Sequence, residues 1–203
     1  MTEGPQLDPL PAEALEMLRQ VSTSTVATQL YKRGFLQPQL LGVRALSRVS
    51  DGFVAERGDT RAASGGDMLM TRAWKRGAAA FMTDGGLREG HVLPELPLAT
   101  YAGTVTITTR AAWHHVADLQ VPIGCAGVGG YPGDVLMGDR DEVIVIPRSP
   151  VAEQAEPSLE QERIEAFVTK KIHAGEPLRG NYPPGEDTIA EYKASLAEGA
   201  GDG

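Results

Sequence analysis

The segment RAASGGDMLMTRAWKRGAAAFMTDGGLREG, residues 61–90, constrains the fold of this chain more than any other. Its first apolar residues recur at the spacing of one helical face: Met70, Ala73, Trp74 and Gly77. The run AAAFMT, residues 78–83, is short and apolar, which favours a buried strand. The end, TDGGLREG, carries three glycines, Arg88 and Glu89, and we expect it to turn. The segment therefore predicts a helix, a buried strand and a turn, in that order.

Two amphipathic helices are predicted before this segment. In PAEALEMLRQV the apolar residues fall at positions i, i+3, i+4 and i+7: Ala14, Met17, Leu18 and Val21. In STSTVATQLYKRGF, the hydroxyl side chains of residues 22–24 suit a helix N-cap, and Gly34 suits the helix end. The mixed pattern from Leu40 to Val54 indicates one or two strands.

Strands are predicted to dominate residues 96–147. LPLATYAG and VPIGCAGV are typical of strands, and YPGD and GDRDE are typical of turns next to VLMG and EVIVIP. Beyond Pro150 the apolar residues return to helical spacing: Ile164, Phe167, Val168 and Ile172. NYPPGED then predicts a turn before a last helix, and we expect the final residues, EGAGDG, to be disordered.

The alternation of helices and strands predicts an α/β fold, a layered sandwich with a mixed central sheet. A chain of 203 residues with 41% hydrophobic residues can bury one core but is short for two. We therefore expect one α/β domain over residues 1–150, followed by a C-terminal helical extension and a disordered tail over residues 151–203.

The net charge and the cysteine content limit the kinds of partner and the cellular compartment that we expect. The chain has 19 Lys and Arg against 27 Asp and Glu, a net charge of -8, which would repel nucleic acid. It has no apolar run long enough to span a bilayer, so we expect no membrane partner. Cys125 is the single cysteine, which excludes an internal disulfide and fits a reducing compartment. We expect a cytoplasmic protein.

The segment AASGGD offers two interpretations. Its small residues precede a helix, where backbone N–H groups can approach an anion closely at the positive helix end. Alternatively, Ser64 and Asp67 form a capping box with three-residue spacing and bind no ligand.

Arg88 and Glu89 are the next candidates. If the strand ends at Asp84 and packs antiparallel to the helix, Arg88 lies near the glycine-rich segment. A guanidinium beside free backbone donors can bind a small carboxylate in a bidentate pair, and Glu89 is a hard oxygen ligand of the kind that Mg²⁺ or Mn²⁺ takes. The alternative is that both residues are solvated charges on an ordinary turn.

The other candidate residues give less evidence for a functional site. His114 and His115 are adjacent, so their side chains diverge and cannot chelate one ion together. Three aspartates lie in predicted turns, where local hydrogen bonding explains them: Asp134, Asp139 and Asp141. Cys125 lies in an apolar strand and is expected to be a buried thiol.

Three stretches carry a family resemblance. In this order, STSTVATQLYKRGF, GGDMLMTRAWKRGAAAFMTDGGLREG and VPIGCAGVGGYPGDVLMGDRDEVIVIP resemble the 4-hydroxy-4-methyl-2-oxoglutarate aldolases and regulators of ribonuclease activity A, the RraA-like family. The likeness covers most of residues 13–150. Its most specific part is Gly66, followed about twenty residues later by a DGxxRD-type turn, matched by residues 84–89. The resemblance implies a swivelling-domain type of sandwich.

The resemblance also implies a divalent-metal-dependent lyase that cleaves 4-hydroxy-2-oxo acids to pyruvate and a second oxo compound, often with oxaloacetate decarboxylation. By position, Arg88 would hold the pyruvyl oxygen and act in catalysis. Glu89 would hold Mg²⁺ or Mn²⁺. Backbone amides would hold the substrate carboxylate, at Gly66, Asp67, Met68 and Leu69. Members are usually trimers or hexamers with sites between subunits, so Glu162 or Glu165 would reach a neighbour's site.

Two departures from the family pattern stand out. Glu89 replaces the family's aspartate and is one C–C bond longer. Between SDGFV and RGDTRAAS, where the family carries a long stretch ending in another aspartate, this chain has only Ala55 and Glu56. Two other functions therefore stay open: a non-catalytic protein-binding regulator, and a dehydratase or hydrolase of a related 2-oxo sugar acid.

Overall fold

The computed structural model describes residues 7–45, 53–56, 58–113, 116 and 118–199. It contains these helices: α1 Ala12–Leu18, α2 Thr23–Lys32, α3 Asp67–Lys75, α4 Val151–His173 and α5 Glu186–Gly199. Short 3₁₀ turns lie at Leu93–Glu95 and Arg110–Ala112. The helices predicted from apolar spacing are all present. The expected disordered tail is helical up to Gly199, and its remaining residues lie outside the described part of the chain.

The strands are β1 Arg44–Ala45, β2 Phe53–Glu56, β3 Ala63–Gly65, β4 Ala80–Leu87, β5 Ala99–Val105, β6 Ile123–Cys125, β7 Val128–Gly130, β8 Val135–Gly138 and β9 Val143–Ile146. The first five form one sheet in the order β1-β5-β4-β2, with β3 also paired to β4. Strands β2, β3 and β5 run parallel to β4, whereas β1 is antiparallel to β5. The predicted α/β sandwich with a mixed sheet is confirmed.

Strand β4 is longer than predicted. It does not end at Asp84 but continues through Leu87, so the expectation that TDGGLREG turns is wrong for its first half. β3 and β5 both pair with Gly86 and Leu87, which keeps this backbone extended. Glycine is required here because a Cβ on Gly85 would lie 2.7 Å from Cα of Gly58. Gly85 and Gly86 therefore allow close packing of neighbouring segments and do not form a turn.

Residues 121–147 form two hairpins. VPIGCAGV contains not one strand but parts of two, β6 and β7, joined by Ala126 and Gly127, which have φ of 49° and 85°. Two consecutive positive φ values suit a tight two-residue turn. Strands β8 and β9 also pair antiparallel, and the predicted turns around them are confirmed.

Three apolar clusters hold the layers together. Helices α1, α2 and α4 pack on β8 and β9 through a cluster that includes Leu18, Leu30 and Ile146. A second cluster joins the central sheet to the hairpins and includes Tyr101, whose pKa is raised to about 12 by burial and by the charge of Asp139. A third cluster packs α3, through Met70, against β4 and β5.

The N-terminus of α2 is capped from three parts of the chain. The Ser22 hydroxyl accepts from the Thr25 amide at 3.2 Å, as predicted for a helix N-cap. The Thr23 amide donates to Asp139 at 3.0 Å, and the Ser22 amide donates to Glu162 at 3.2 Å. Two carboxylates at this positive helix end favour the orientation of α2 between the β8–β9 turn and α4.

Helix α4 contains Pro157, which has no N–H to donate to the carbonyl of Glu153 one turn earlier. The guanidinium of Arg33, at the end of α2, donates to that carbonyl at 3.1 Å and to Oε1 of Gln154 at 3.3 Å. Arg33 thus replaces the hydrogen bond that Pro157 removes and joins α2 to α4.

Across the described part of the chain, every helix is too short or too polar to cross a bilayer.

Candidate active site

Three parallel strands end at one edge of the central sheet. Gly65, Leu87 and Val105 are the last residues of β3, β4 and β5, and Leu87 pairs with both of the others. Ligands of open α/β sheets bind at the carboxyl ends of parallel strands. The residues that follow these strands therefore form the candidate site.

The start of α3 and the end of β4 converge at this edge. The Arg88 amide donates to the carbonyl of Gly65 at 2.9 Å. A Cβ placed on Gly66 would lie 3.4 Å from Cβ of Arg88 and 3.9 Å from Cγ of Glu89. The glycine-rich segment and the arginine are brought together as expected, although the strand between them ends three residues later than predicted.

The N-terminus of α3 has no side-chain cap. Gly66 is the N-cap residue, with extended φ and ψ of -147° and -170°, and its side chain can accept nothing. Among the described residues, no acceptor contacts the amides of Asp67, Met68 and Leu69. The positive end of α3 therefore presents backbone donors to solvent beside Arg88, which suits a carboxylate.

The alternative capping box is wrong. Ser64 is buried in β3, two residues before the N-cap residue Gly66. Its hydroxyl lies 3.1 Å from the hydroxyl of Thr83 on β4, so it joins two strands and leaves α3 uncapped.

Arg88 and Glu89 are accessible side chains on the loop after β4. The Arg88 side chain is 44% exposed and that of Glu89 is 36% exposed, with Arg88 Nη2 3.4 Å from Glu89 Oε1. Glu89 has φ of 58°, a left-handed conformation that is uncommon for a residue with a side chain. Such conformations concentrate at ligand sites, where the surrounding contacts stabilise them. Here the Glu89 carbonyl accepts from the Val92 amide at 2.8 Å.

The donors present fit a divalent cation only in part. Among the described residues, no group of three His, Cys, Asp or Glu side chains could enclose a metal ion. Glu89 is a single accessible carboxylate. Mg²⁺ commonly binds through one or two carboxylates, several waters and the substrate, so the site fits a cation that a 2-oxo acid helps to hold.

Asp84 belongs to the same motif but is already engaged. Its Oδ1 accepts from the Gly58 amide at 2.7 Å, and its Oδ2 accepts from the Ala126 amide at 2.9 Å. Both partners are backbone amides of distant segments, so no sequence pattern indicated this role. Through these two hydrogen bonds, Asp84 connects both the loop before β3 and the β6–β7 turn to β4.

Apolar side chains surround the candidate site. Met68, in the first turn of α3, is 82% exposed, and Ile107, just beyond β5, is 92% exposed. Val105 and Leu69 are also exposed. A group of exposed apolar residues beside a polar site is typical of a surface that another molecule covers.

Other predicted residues lie elsewhere. Glu162 accepts from the hydroxyl and amide of Ser22, and Glu165 accepts from Gln161 at 2.8 Å, so both are engaged within the chain. His114 and His115 lie outside the described residues. The turn aspartates Asp134 and Asp139 accept backbone amides, and Cys125 is buried, as expected.

Comparison with known proteins identifies the relatives of this chain. The RraA-like family, described as Aldolase/RraA, matches residues 20–145, which is more than half of the chain. A 4-hydroxy-4-methyl-2-oxoglutarate aldolase of Thermus thermophilus is 31% identical over 98 residues, covering 48% of this chain and 59% of that protein. The chain spans about half the length of the curated relatives that it matches.

Two solved structures share the fold. An uncharacterized protein of Pseudomonas syringae superposes with a TM-score of 0.80 at 16% identity, covering 86% of this chain and 99% of that one. RraAS2 of Streptomyces coelicolor, an unusual member of the RNase ES inhibitor RraA protein family, superposes with a TM-score of 0.69 at 21% identity, covering 80% of this chain and all of that one.

Proposed function

The chain belongs to the RraA-like family, and from that membership we propose that it is a carbon–carbon lyase. In this proposal it cleaves 4-hydroxy-2-oxo acids to pyruvate and a second oxo compound, and it also decarboxylates oxaloacetate. The aldolase relative supports the reaction class. The observation that carries the proposal is the convergence of Arg88 on the uncapped start of α3.

In the proposed complex, the substrate carboxylate lies against the amides of Asp67, Met68 and Leu69. Arg88 donates to the oxygen on C2. When the C3–C4 bond breaks, the 4-hydroxyl loses its proton, and the bonding electrons pass to the C2 oxygen as an enolate. A guanidinium at that oxygen stabilises the developing charge, and protonation at C3 then gives pyruvate. Oxaloacetate forms the same enolate when it loses CO₂.

We propose that Glu89 holds Mg²⁺ or Mn²⁺. When bound, the cation would withdraw electrons from the 2-oxo acid as a Lewis acid. Glu89 lies next to Arg88, and its Cγ is 3.9 Å from a Cβ placed on Gly66, so a cation there would adjoin the bound acid.

We also propose that the protein forms a homo-oligomer, a trimer or hexamer, through the apolar surface formed by Met68, Leu69, Val105 and Ile107. This surface borders the site, so a second subunit there would exclude water from the bound acid. Sedimentation would test the assembly, with Ile107→Lys expected to shift it towards the monomer.

A coupled assay with lactate dehydrogenase tests the activity. It measures pyruvate release from 4-hydroxy-4-methyl-2-oxoglutarate and from oxaloacetate, with Mg²⁺ or Mn²⁺ and with EDTA. We expect metal-dependent release from at least one substrate. Absence of pyruvate from both substrates with either metal would overturn the proposal.

A second candidate is a non-catalytic regulator that binds a cationic protein. The cleft between α1 and α4 favours it, with a volume of about 620 Å³. Four carboxylates line this cleft: Glu13, Glu16, Glu156 and Glu160. A defined partner whose binding survives Arg88→Ala but is lost in Glu156→Lys would support this function. Retention of that partner by Glu156→Lys would count against it.

A third candidate is a dehydratase or hydrolase of a 2-oxo sugar acid, because Arg88 can stabilise the same enolate while a different group leaves. Product analysis by NMR separates these reactions, since only aldol cleavage yields pyruvate together with a second oxo compound.

A further inference from the structure

Arg88, the side chain proposed to bind the substrate, lies next to a negatively charged side chain. Arg88 Nη2 lies 3.4 Å from Oε1 of Glu89, and both side chains are accessible. Their backbones are fixed on each side, by the bond from the Arg88 amide to Gly65 and by the bond from the Val92 amide to the Glu89 carbonyl. The two bonds set the backbone positions from which the Arg88 and Glu89 side chains approach each other.

In the proposed complex, Arg88 donates to the oxygen on C2 of the 2-oxo acid. The carboxylate of Glu89 also accepts from a guanidinium, so Glu89 and the C2 oxygen compete for Arg88. Glu89 is also the carboxylate that pairs with Arg88 among the described residues, and in the proposed function it holds the divalent cation. When a carboxylate binds a divalent cation, the cation neutralises its negative charge, and the carboxylate then competes less strongly for the arginine.

We propose that Glu89 occupies Arg88 in the metal-free protein and that a divalent cation releases Arg88 to bind the 2-oxo acid. This inference rests on the proposed lyase function and adds to it a coupling between metal binding and acid binding. Metal and acid then bind with positive coupling, and each raises the affinity of the other by the same factor. The carboxylate at residue 89 thus makes an unproductive, metal-free complex unfavourable.

The size of the effect follows from the exposure of the pair. Accessible ion pairs are weak, so their loss changes the affinity of a competing ligand by about two- to fivefold. A buried pair would give a larger effect, and so would a pair of shorter contact distance.

The test is an NMR titration of the full chain with pyruvate, once in EDTA and once in Mg²⁺. The variants are Glu89→Gln and, as a control for net charge, Glu95→Gln, an exposed glutamate in the 3₁₀ turn that follows. In EDTA, we expect Glu89→Gln to bind pyruvate about two- to fivefold more tightly than the parent protein and Glu95→Gln to match the parent. Mg²⁺ should tighten binding in the parent and in Glu95→Gln but not in Glu89→Gln.

The titration distinguishes failure of the competition between Glu89 and the acid from failure of the proposed function. If the parent binds pyruvate but Glu89→Gln in EDTA binds no more tightly, the competition is refuted and the lyase proposal stands. If Glu95→Gln gains as much as Glu89→Gln, the effect comes from net charge and the competition is likewise refuted. If neither the parent nor a variant binds pyruvate with or without Mg²⁺, the proposed function and this inference fall together.

Discussion

The amide of Arg88 donates a hydrogen bond of 2.9 Å to the carbonyl of Gly65, which ties the residue after β4 to the last residue of β3. Helix α3 begins two residues beyond Gly65, so this bond sets the arginine beside the uncapped helix start. The parallel pairing of β3 with β4 makes the bond possible, because it aligns their carboxyl ends.

Replacing Arg88 should remove catalysis without unfolding the chain. Loss of one donor at a developing oxyanion costs about 10²- to 10³-fold in rate, so we expect Arg88→Gln to reduce kcat for pyruvate release by about that factor. The exposed arginine of the β8–β9 turn provides a matched control, Arg140→Gln, which should keep the parent rate. Equal rates for Arg88→Gln and the parent would refute the role of Arg88.

Adding bulk at Gly66 should disturb the site more than the fold. A Cβ there would already be in van der Waals contact with Cβ of Arg88, at 3.4 Å, so the two further methyl groups of Gly66→Val would crowd the arginine. We expect a rise in KM of about tenfold or more, because small displacements of binding groups are costly. Gly124→Val is the control, since among the described residues beyond its two chain neighbours no atom lies within 4 Å of a Cβ at that glycine. Unchanged KM in Gly66→Val would contradict the placement of the substrate.

Asp139 should make the stability depend on acid pH. Partial burial pushes the pKa of Asp139 upwards, but hydrogen bonds from Thr23, Asp141 and Glu142 outweigh it, and the pKa lies below its ordinary value of 3.8. A lowered pKa in the folded state adds stability that is present above the unfolded-state pKa and lost as the pH falls through the folded-state pKa.

Urea unfolding at pH 7 and pH 3 therefore tests the role of Asp139. At pH 7 we expect Asp139→Asn to be less stable than the parent by about 1 kcal/mol, a typical value for such hydrogen bonds. The difference should shrink at pH 3, while the exposed control Glu95→Gln stays close to the parent at both pH values. A difference that is constant with pH would show that the carboxylate charge is not involved.

Arg33 and Pro157 should show coupled effects on stability. Arg33→Ala leaves the Glu153 carbonyl without the donor that replaces the missing proline N–H, and we expect a loss of about 1 to 3 kcal/mol in the free energy of unfolding. Pro157→Ala restores an N–H that can reach this carbonyl, so the same Arg33→Ala change should cost less in that background. A double-mutant cycle by urea unfolding measures the difference, and additive effects would contradict the compensation.

The sequence predicted several local elements from patterns that lie within a few neighbouring residues. The apolar spacing around Met70 placed α3, Ser22 and Gly34 marked the limits of α2, and the turns beside VLMG placed β8. The Gly66–Arg88 relationship was also expected, because a strand that packs antiparallel to the preceding helix ends near the start of that helix.

Tertiary structure alone decided the features that depend on contacts between distant segments. Gly85 and Gly86 looked like a turn, but pairing of Gly86 and Leu87 with β3 and β5 keeps the strand extended, because interstrand hydrogen bonds outweigh the weak local preference of glycine. Glu162, which with Glu165 was a candidate for a neighbour's site, accepts from Ser22, 140 residues away in the chain. Asp84 binds the amides of Gly58 and Ala126, and side-chain patterns do not encode such backbone partners. The sequence by itself thus determined which residues could carry the chemistry and where the helices begin. The packing of parallel strands determined which of those residues meet, because only the folded chain brings their strand ends to one edge.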